Sequence, residues 1–168
     1  MIALVPHPQA PGAAVRAVRA AAARTPRGML ALRYRIEGDL ERLRIPPPRV
    51  PAPGERLWEH LCCEAFVAAA APAYREFNFS PSGEWAAYAF QRYREGGPLA
   101  VPDPGIAVQV SGGALELTAS IAVERGPLRV ALCAVIEEGD APVSYWALRH
   151  PAPRPDFHHP DGFALELV

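Results

Sequence analysis

Twenty prolines punctuate this chain of 168 residues. They leave proline-free windows that include 27–45, 54–71, 82–97, 105–126 and 128–141, and cluster between most of them. Proline has no backbone N–H and its ring clashes with the preceding helical turn, so long helices have little room here. Strands of roughly five to ten residues fit easily between such breaks. Many short segments separated by turn signals imply an all-β fold, a sandwich or a barrel.

Hydrophobic alternation agrees. Met29–Glu37 sets Leu30, Leu32, Tyr34 and Ile36 against Arg33, Arg35 and Glu37, and Ala114–Val123 sets Leu115, Leu117, Ala119 and Ile121 against Glu116, Thr118 and Ser120. Each is the period of a strand with one buried face. Arg129–Ile136 is apolar on both faces, as expected of a central strand. Ile2–Val5, Val143–Leu148 and Gly162–Val168 read as further strands, with a turn at Gly139-Asp140 and an extended surface connection over Arg44–Gly54.

Two stretches resist this reading. Ala13–Arg24 is rich in Ala and Arg, both good helix formers, and its local propensity is helical. Leu57–Ala71 supports a helix by propensity. Read with period two instead, it points Leu61, Cys63, Ala65 and Val67 one way and Cys62, Glu64 and Phe66 the other.

The length allows one well-buried core, so a single domain over 1–168 is expected. The formal net charge of −1 and ordinary charged fraction give no nucleic-acid footprint. No apolar run approaches the roughly 20 residues that span a bilayer, so no membrane partner is expected. All 17 basic residues are Arg, which reads as compositional bias. Three Cys, two of them adjacent, do not make a disulfide framework, and a cytoplasmic address is expected.

Aromatics concentrate between Leu57 and Arg94, which holds two of three Trp, three of five Tyr and four of six Phe. Within it Tyr74–Ser80 alternates polar and aromatic residues, Pro81-Ser82-Gly83 turns the chain, and Trp85–Phe90 begins again. Such a pair of strands suits either a sandwich core or the floor of a ligand site.

Two blocks carry a resemblance. One is Trp58…Cys63-Glu64-Ala65-Phe66…Tyr74-Arg-Glu76-Phe77-Asn78-Phe79-Ser80-Pro81-Ser-Gly83, and the other is Ser144-Tyr145-Trp146-Ala147…Pro155-Asp156-Phe157-His158-His159-Pro160…Phe163-Ala-Leu165. Together they resemble the DOMON-like proteins, relatives of the family 9 carbohydrate-binding modules. The resemblance implies a β-sandwich (jelly-roll or immunoglobulin-like) of roughly ten strands that binds sugars or, in some relatives, haem; it does not imply an enzyme. It also selects the strand for Leu57–Ala71 and the ligand site for the aromatic strands. Ala164 and the Cys62-Cys63 pair depart from the family pattern.

By that resemblance, Trp58 and Trp146 match a pair of Trp that clamp a sugar ring, with Glu64 on its hydroxyls. The chemistry suits pyranoses, whose C–H faces stack on indole while a carboxylate accepts two hydroxyl protons. Asn78, Tyr88 and His158 are assisting candidates. Trp85 joins the candidate set, although packing is the favoured reading of it. Glu76 reads as a solvated or internally paired carboxylate.

No metal is expected, because His158, His159 and Asp161 match no standard ligand spacing. No other cofactor is expected unless the module takes haem, for which His60 and His158 are the candidate axial ligands. The sequence therefore predicts a non-catalytic module for a sugar or other small molecule. Haem binding and a purely structural or interaction role are the alternatives, and no partner protein is indicated.

Overall fold

The computed structural model describes residues 1–139 and 141–168. Its strands are β1 (Ile2–Pro6), β2 (Val15–Arg24), β3 (Met29–Gly38), β4 (Cys62–Ala68), β5 (Tyr74–Phe79) and β6 (Trp85–Arg92). They continue with β7 (Glu95–Pro98), β8 (Ala107–Ser111), β9 (Ala114–Ala122), β10 (Leu128–Ile136), β11 (Ser144–Ala147) and β12 (Leu165–Leu167). The only helical elements among the described residues are three single 3-10 turns. Expected strands recur throughout, while β7 and β8 are additional. The turn expected at Gly139-Asp140 includes Asp140, which lies outside the described residues.

All ladders are antiparallel and run in the order β7-β6-β5-β4-β10-β11-β1-β2-β3-β9-β8, with β12 also on β10. The hinge of this order is β1. Its Ile2–Leu4 pair with β2, and Val5 and Pro6 pair with β11. The chain thus closes into a β-sandwich, with β1, β2, β3, β9 and β8 in one sheet and the remaining strands in the other.

Alternation decides what lies between the sheets. Leu30, Leu32, Tyr34 and Ile36 of β3 and Leu115, Leu117 and Ile121 of β9 meet Cys63, Ala65 and Val67 of β4 and Val130, Leu132 and Ile136 of β10. Burying a side chain of this size is worth about 1.5–3 kcal/mol, so this layer holds the fold. One polar contact crosses it: the buried Tyr34 hydroxyl donates to the Glu64 carbonyl at 2.7 Å.

The helical propensity of Ala13–Arg24 loses to tertiary pairing. β2 lies between β1 and β3, burying Val18 and Ala20 and exposing Arg16 and Arg19. Small alanines pass easily into a strand whose neighbours on both sides supply the ladder. At the other ambiguous stretch the period-two reading holds, and Cys62, Glu64 and Phe66 leave the core for the outer face of β4.

Candidate functional site

The outer face of the second sheet is largely covered rather than bathed. Phe66, Tyr74, Ala131, Cys133 and Phe163 form a second apolar cluster there, with Phe90 and Phe157 packed against it. A third cluster, of Leu57, Cys62 and Ala86 with Tyr88, lies further along. The covering material is the 151–163 segment on one side and the 3-10 turn Leu57–Glu59 on the other. A cleft of about 370 Å³ opens on this face, lined by residues that include Trp58, Glu64, Phe66, Glu76, Tyr88 and His158. That volume lies in the usual range for small-molecule sites, roughly 300–1,000 Å³.

Strand register builds the floor. Glu64 on β4 stands opposite Asn78 on β5, and Phe66 opposite Glu76, which in turn faces Tyr88 on β6. Glu64 and Glu76 are therefore diagonal neighbours on one face. They are only 2% and 6% exposed.

Asn78 donates its amide to Glu76 Oε1 at 3.0 Å, and His158 Nε2 lies 3.6 Å from Glu76 Oε2. Glu64 Oε1 and Asn78 Oδ1 are buried without a hydrogen-bond partner. Glu138 shows how this fold treats a structural carboxylate: it is equally buried and accepts the backbone N–H groups of Ala13 and Ala14 at 3.0–3.1 Å. An orphaned buried acceptor costs about 1–3 kcal/mol, so the floor is not optimised for stability alone.

Burial sets the electrostatics. It pushes the Glu64 carboxyl well above the usual carboxylate range, and the neighbouring Glu76 charge adds to the effect. Glu76 rises to about 7 through burial, against the opposing pull of its bond from Asn78 and the charge of Arg94. His158 falls to about 4, by burial and then by the nearby Arg94. Near neutral pH, then, His158 is an uncharged imidazole beside carboxyls that resist ionisation.

The far wall is tied together by polar contacts. Tyr74 Oη lies 2.8 Å from His158 Nδ1 and accepts the Arg94 N–H at 3.1 Å. Arg94 donates to Asp156 at 2.9 Å, and Tyr93 donates to the other carboxylate oxygen of Asp156 at 2.7 Å. The tip of the β6–β7 hairpin is thereby fastened to the segment that carries Phe157 and His158. At the mouth, Trp58 is 40% exposed and packs edge-to-face on Tyr88 with ring centroids 5.6 Å apart.

Of the residues expected from sequence, Trp58, Glu64, Tyr88 and His158 meet at the cleft, and Asn78 lies in its floor through Glu76. The two-tryptophan clamp does not form. Trp146 pairs with Ala134, faces the core between the sheets and donates its indole N–H to Ser144 at 3.0 Å. Its neighbour Tyr145 takes the cleft position instead. Trp85 is buried opposite Phe79, its backbone bonded to Ala52 and Gly54 of the proline-rich connection, and it does not line the cleft.

Glu76, expected on a solvated or internally paired face, lies in the floor, where Asn78 is its hydrogen-bond donor. Phe66, Phe90, Arg94 and Phe157 are further lining residues absent from the expected set. Phe66 was detectable, since it shares its strand face with Glu64. Arg94 and Phe157 sit in irregular backbone, where no period reports direction.

The two candidate axial ligands for haem do not share one site. His158 has one ring nitrogen on Tyr74 and the other towards Glu76, and His60 bonds Glu137 at 2.9 Å beside a separate cleft. The adjacent Cys62 and Cys63 point to opposite faces of β4, as a strand requires. Among the described residues, no three His, Cys, Asp or Glu side chains converge as a metal site would need.

No family model and no curated protein matches the chain. A solved structure does: a Bacteroides uniformis protein, described as a candidate carbohydrate-binding protein, superposes with a TM-score of 0.66. The match covers 96% of this chain and 84% of the other at 17% identity. At that identity the likeness establishes a shared all-β sandwich fold.

Proposed function

We propose that this protein is a non-catalytic binding module whose cleft takes a hydroxyl-rich small molecule the size of a sugar. The observation that carries the reading is the pair of orphaned acceptors, Glu64 Oε1 and Asn78 Oδ1, in the floor of an aromatic-walled cleft. Sugar hydroxyls donate the hydrogen bonds such acceptors lack. Trp58, half-exposed at the mouth and braced by Tyr88, offers an apolar ring face for stacking, while Glu64 and Glu76 hold the hydroxyls. The carbohydrate-binding description of the Bacteroides uniformis protein of the same fold supports this reading.

The test is intrinsic Trp fluorescence and saturation-transfer NMR across a panel of mono- and disaccharides. A saturable response to a sugar is expected, lost in Glu64→Ala with the circular dichroism spectrum unchanged and weakened about tenfold in Trp58→Ala. Sugar binding that survives Glu64→Ala unchanged overturns this assignment of the site.

A further inference from the structure

Two carboxyls enter the cleft, and among the described residues no free cation meets them. Around them stand Cys62 on β4, Tyr74 on β5, Tyr88 on β6, Cys133 on β10 and Tyr145 on β11. Arg94, at the hairpin tip, is the one guanidinium in the described lining. It is occupied by Asp156 at 2.9 Å and by the Tyr93 hydroxyl at 3.2 Å. His158 offers Glu76 no hydrogen bond of ordinary length, at 3.6 Å.

Most of the remaining lining is aromatic, with Val135 and Pro155 the exceptions in the described lining. Trp58, Phe66, Tyr88, Phe90, Tyr145 and Phe157 surround the two carboxyls. Aromatic faces are negative and attract cations, the more so where water is excluded. Carboxylates and ring faces thus favour the same sign of charge. Glu64, a residue 2% exposed, lines the cleft and keeps one carboxyl oxygen without a partner.

We propose that the ligand of this cleft carries an ammonium group, as an amino sugar or another hydroxylated amine does, held between the Glu64 and Glu76 carboxylates and the aromatic walls. The inference rests on the reading of the cleft as a sugar-sized binding site and names the charge of what enters it. An entering ammonium sets a positive charge against the carboxyl oxygens, adds N–H donors where the amine is primary, and offsets the cost of ionising the pair. Binding therefore displaces a proton from the carboxyl pair to solvent, and affinity rises with pH as the pair ionises.

Four probes test it: glucosamine, glucose, N-acetylglucosamine and choline, the last a permanent cation without a sugar ring. At pH 7, glucosamine is expected to bind at least about tenfold more tightly than glucose or N-acetylglucosamine, with the preference lost in Glu64→Gln and in Glu76→Gln. Both variants remove a buried ionisable group without changing side-chain shape, so their folding is not at risk. Choline is expected to bind more tightly as pH rises from about 5.5 to about 8, with proton release seen by calorimetry in buffers of different ionisation enthalpy.

Glucose binding as tightly as glucosamine overturns the ammonium proposal and leaves the sugar reading standing. Choline matching glucosamine upholds the ammonium and removes the sugar ring from the reading. A choline affinity that is flat with pH overturns the carboxylate contact, and silence from all four probes overturns both proposals.

Discussion

On the first sheet Glu37 and Glu116 stand among arginines, with Arg35 reaching them at 2.7 and 2.5 Å, Arg19 reaching Glu37 at 3.1 Å and Arg33 reaching Glu116 at 2.6 Å. On the second sheet Glu64 and Glu76 occupy the same kind of position, mid-strand on an outer face, and among the described residues no arginine is bonded to either. The consequences run in opposite directions. Hydrogen bonds from Arg35, and from Arg33 then Arg35, hold Glu37 and Glu116 below the usual carboxylate range, whereas burial lifts Glu64 and Glu76 above it. An outer strand face is thus a solvated surface or the floor of a cleft according to what covers it. In this protein the covering is done by the 151–163 segment and the turn around Trp58.

The sharpest way to break the contrast is to remove the titration of Glu76. Its carboxyl is raised from 4.5 to about 7, so between these values the unfolded chain has lost a proton that the folded one keeps. Its contribution to stability therefore falls as pH rises through this window and stays at its lowest above it. Glu76→Gln keeps an acceptor for Asn78 and removes the penalty. Urea denaturation should show the variant more stable than wild type by up to about 3 kcal/mol at pH 8, and by almost nothing at pH 4. An equal gain at both pH values would mean that Glu76 is not ionised in the way its burial requires.

A smaller effect is expected from the bond that ties the floor to the core. Tyr34→Phe removes the hydrogen bond to the Glu64 carbonyl and should cost about 1 kcal/mol at any pH below the tyrosine range. Thermal unfolding of the single variant and of its combination with Glu76→Gln measures it. The two changes should add if Tyr34 acts on the backbone alone.

The smallest effect belongs to the solvated face. Glu116→Gln should lower the thermal midpoint only slightly, with the loss shrinking in high salt because the arginines there are open to water. Its sign with pH is the reverse of that for Glu76. The stabilisation from Glu116 is present above the usual carboxylate range and fades as pH falls through its depressed value. A large, salt-independent loss would make the two faces alike.

Much of this architecture is legible in the chain. Proline spacing and period-two alternation give the all-β class and the buried sides of β3 and β9, and the unbroken apolar run of β10 marks it as a central strand. The same period places Glu64 and Phe66 on one face, and Trp58, singled out by the resemblance, lines the cleft beside them. Trp146 was misread for a definite reason: in a strand, one residue of phase exchanges core for surface. The phase of β11 comes from its pairing with β10, where Ala134 meets Trp146 and Val135 meets Tyr145. Ala13–Arg24 was misread because propensity is a few tenths of a kcal/mol per residue, less than two flanking strands supply.

Alternation, turn residues and proline are local properties, so the identity of the strands and of their apolar sides is already written in neighbouring residues. Which face of the second sheet becomes a cleft is a non-local matter. It depends on a segment some 80 residues away from Tyr74 placing His158 within 2.8 Å of it, and on Arg94 being drawn to Asp156 rather than to Glu76. The charge state of the floor follows from the same placement, because desolvation is a property of what surrounds a group and not of the group. Glutamates of one chemical kind on β3, β4, β5 and β9 therefore end in two different roles, and only their tertiary surroundings separate them.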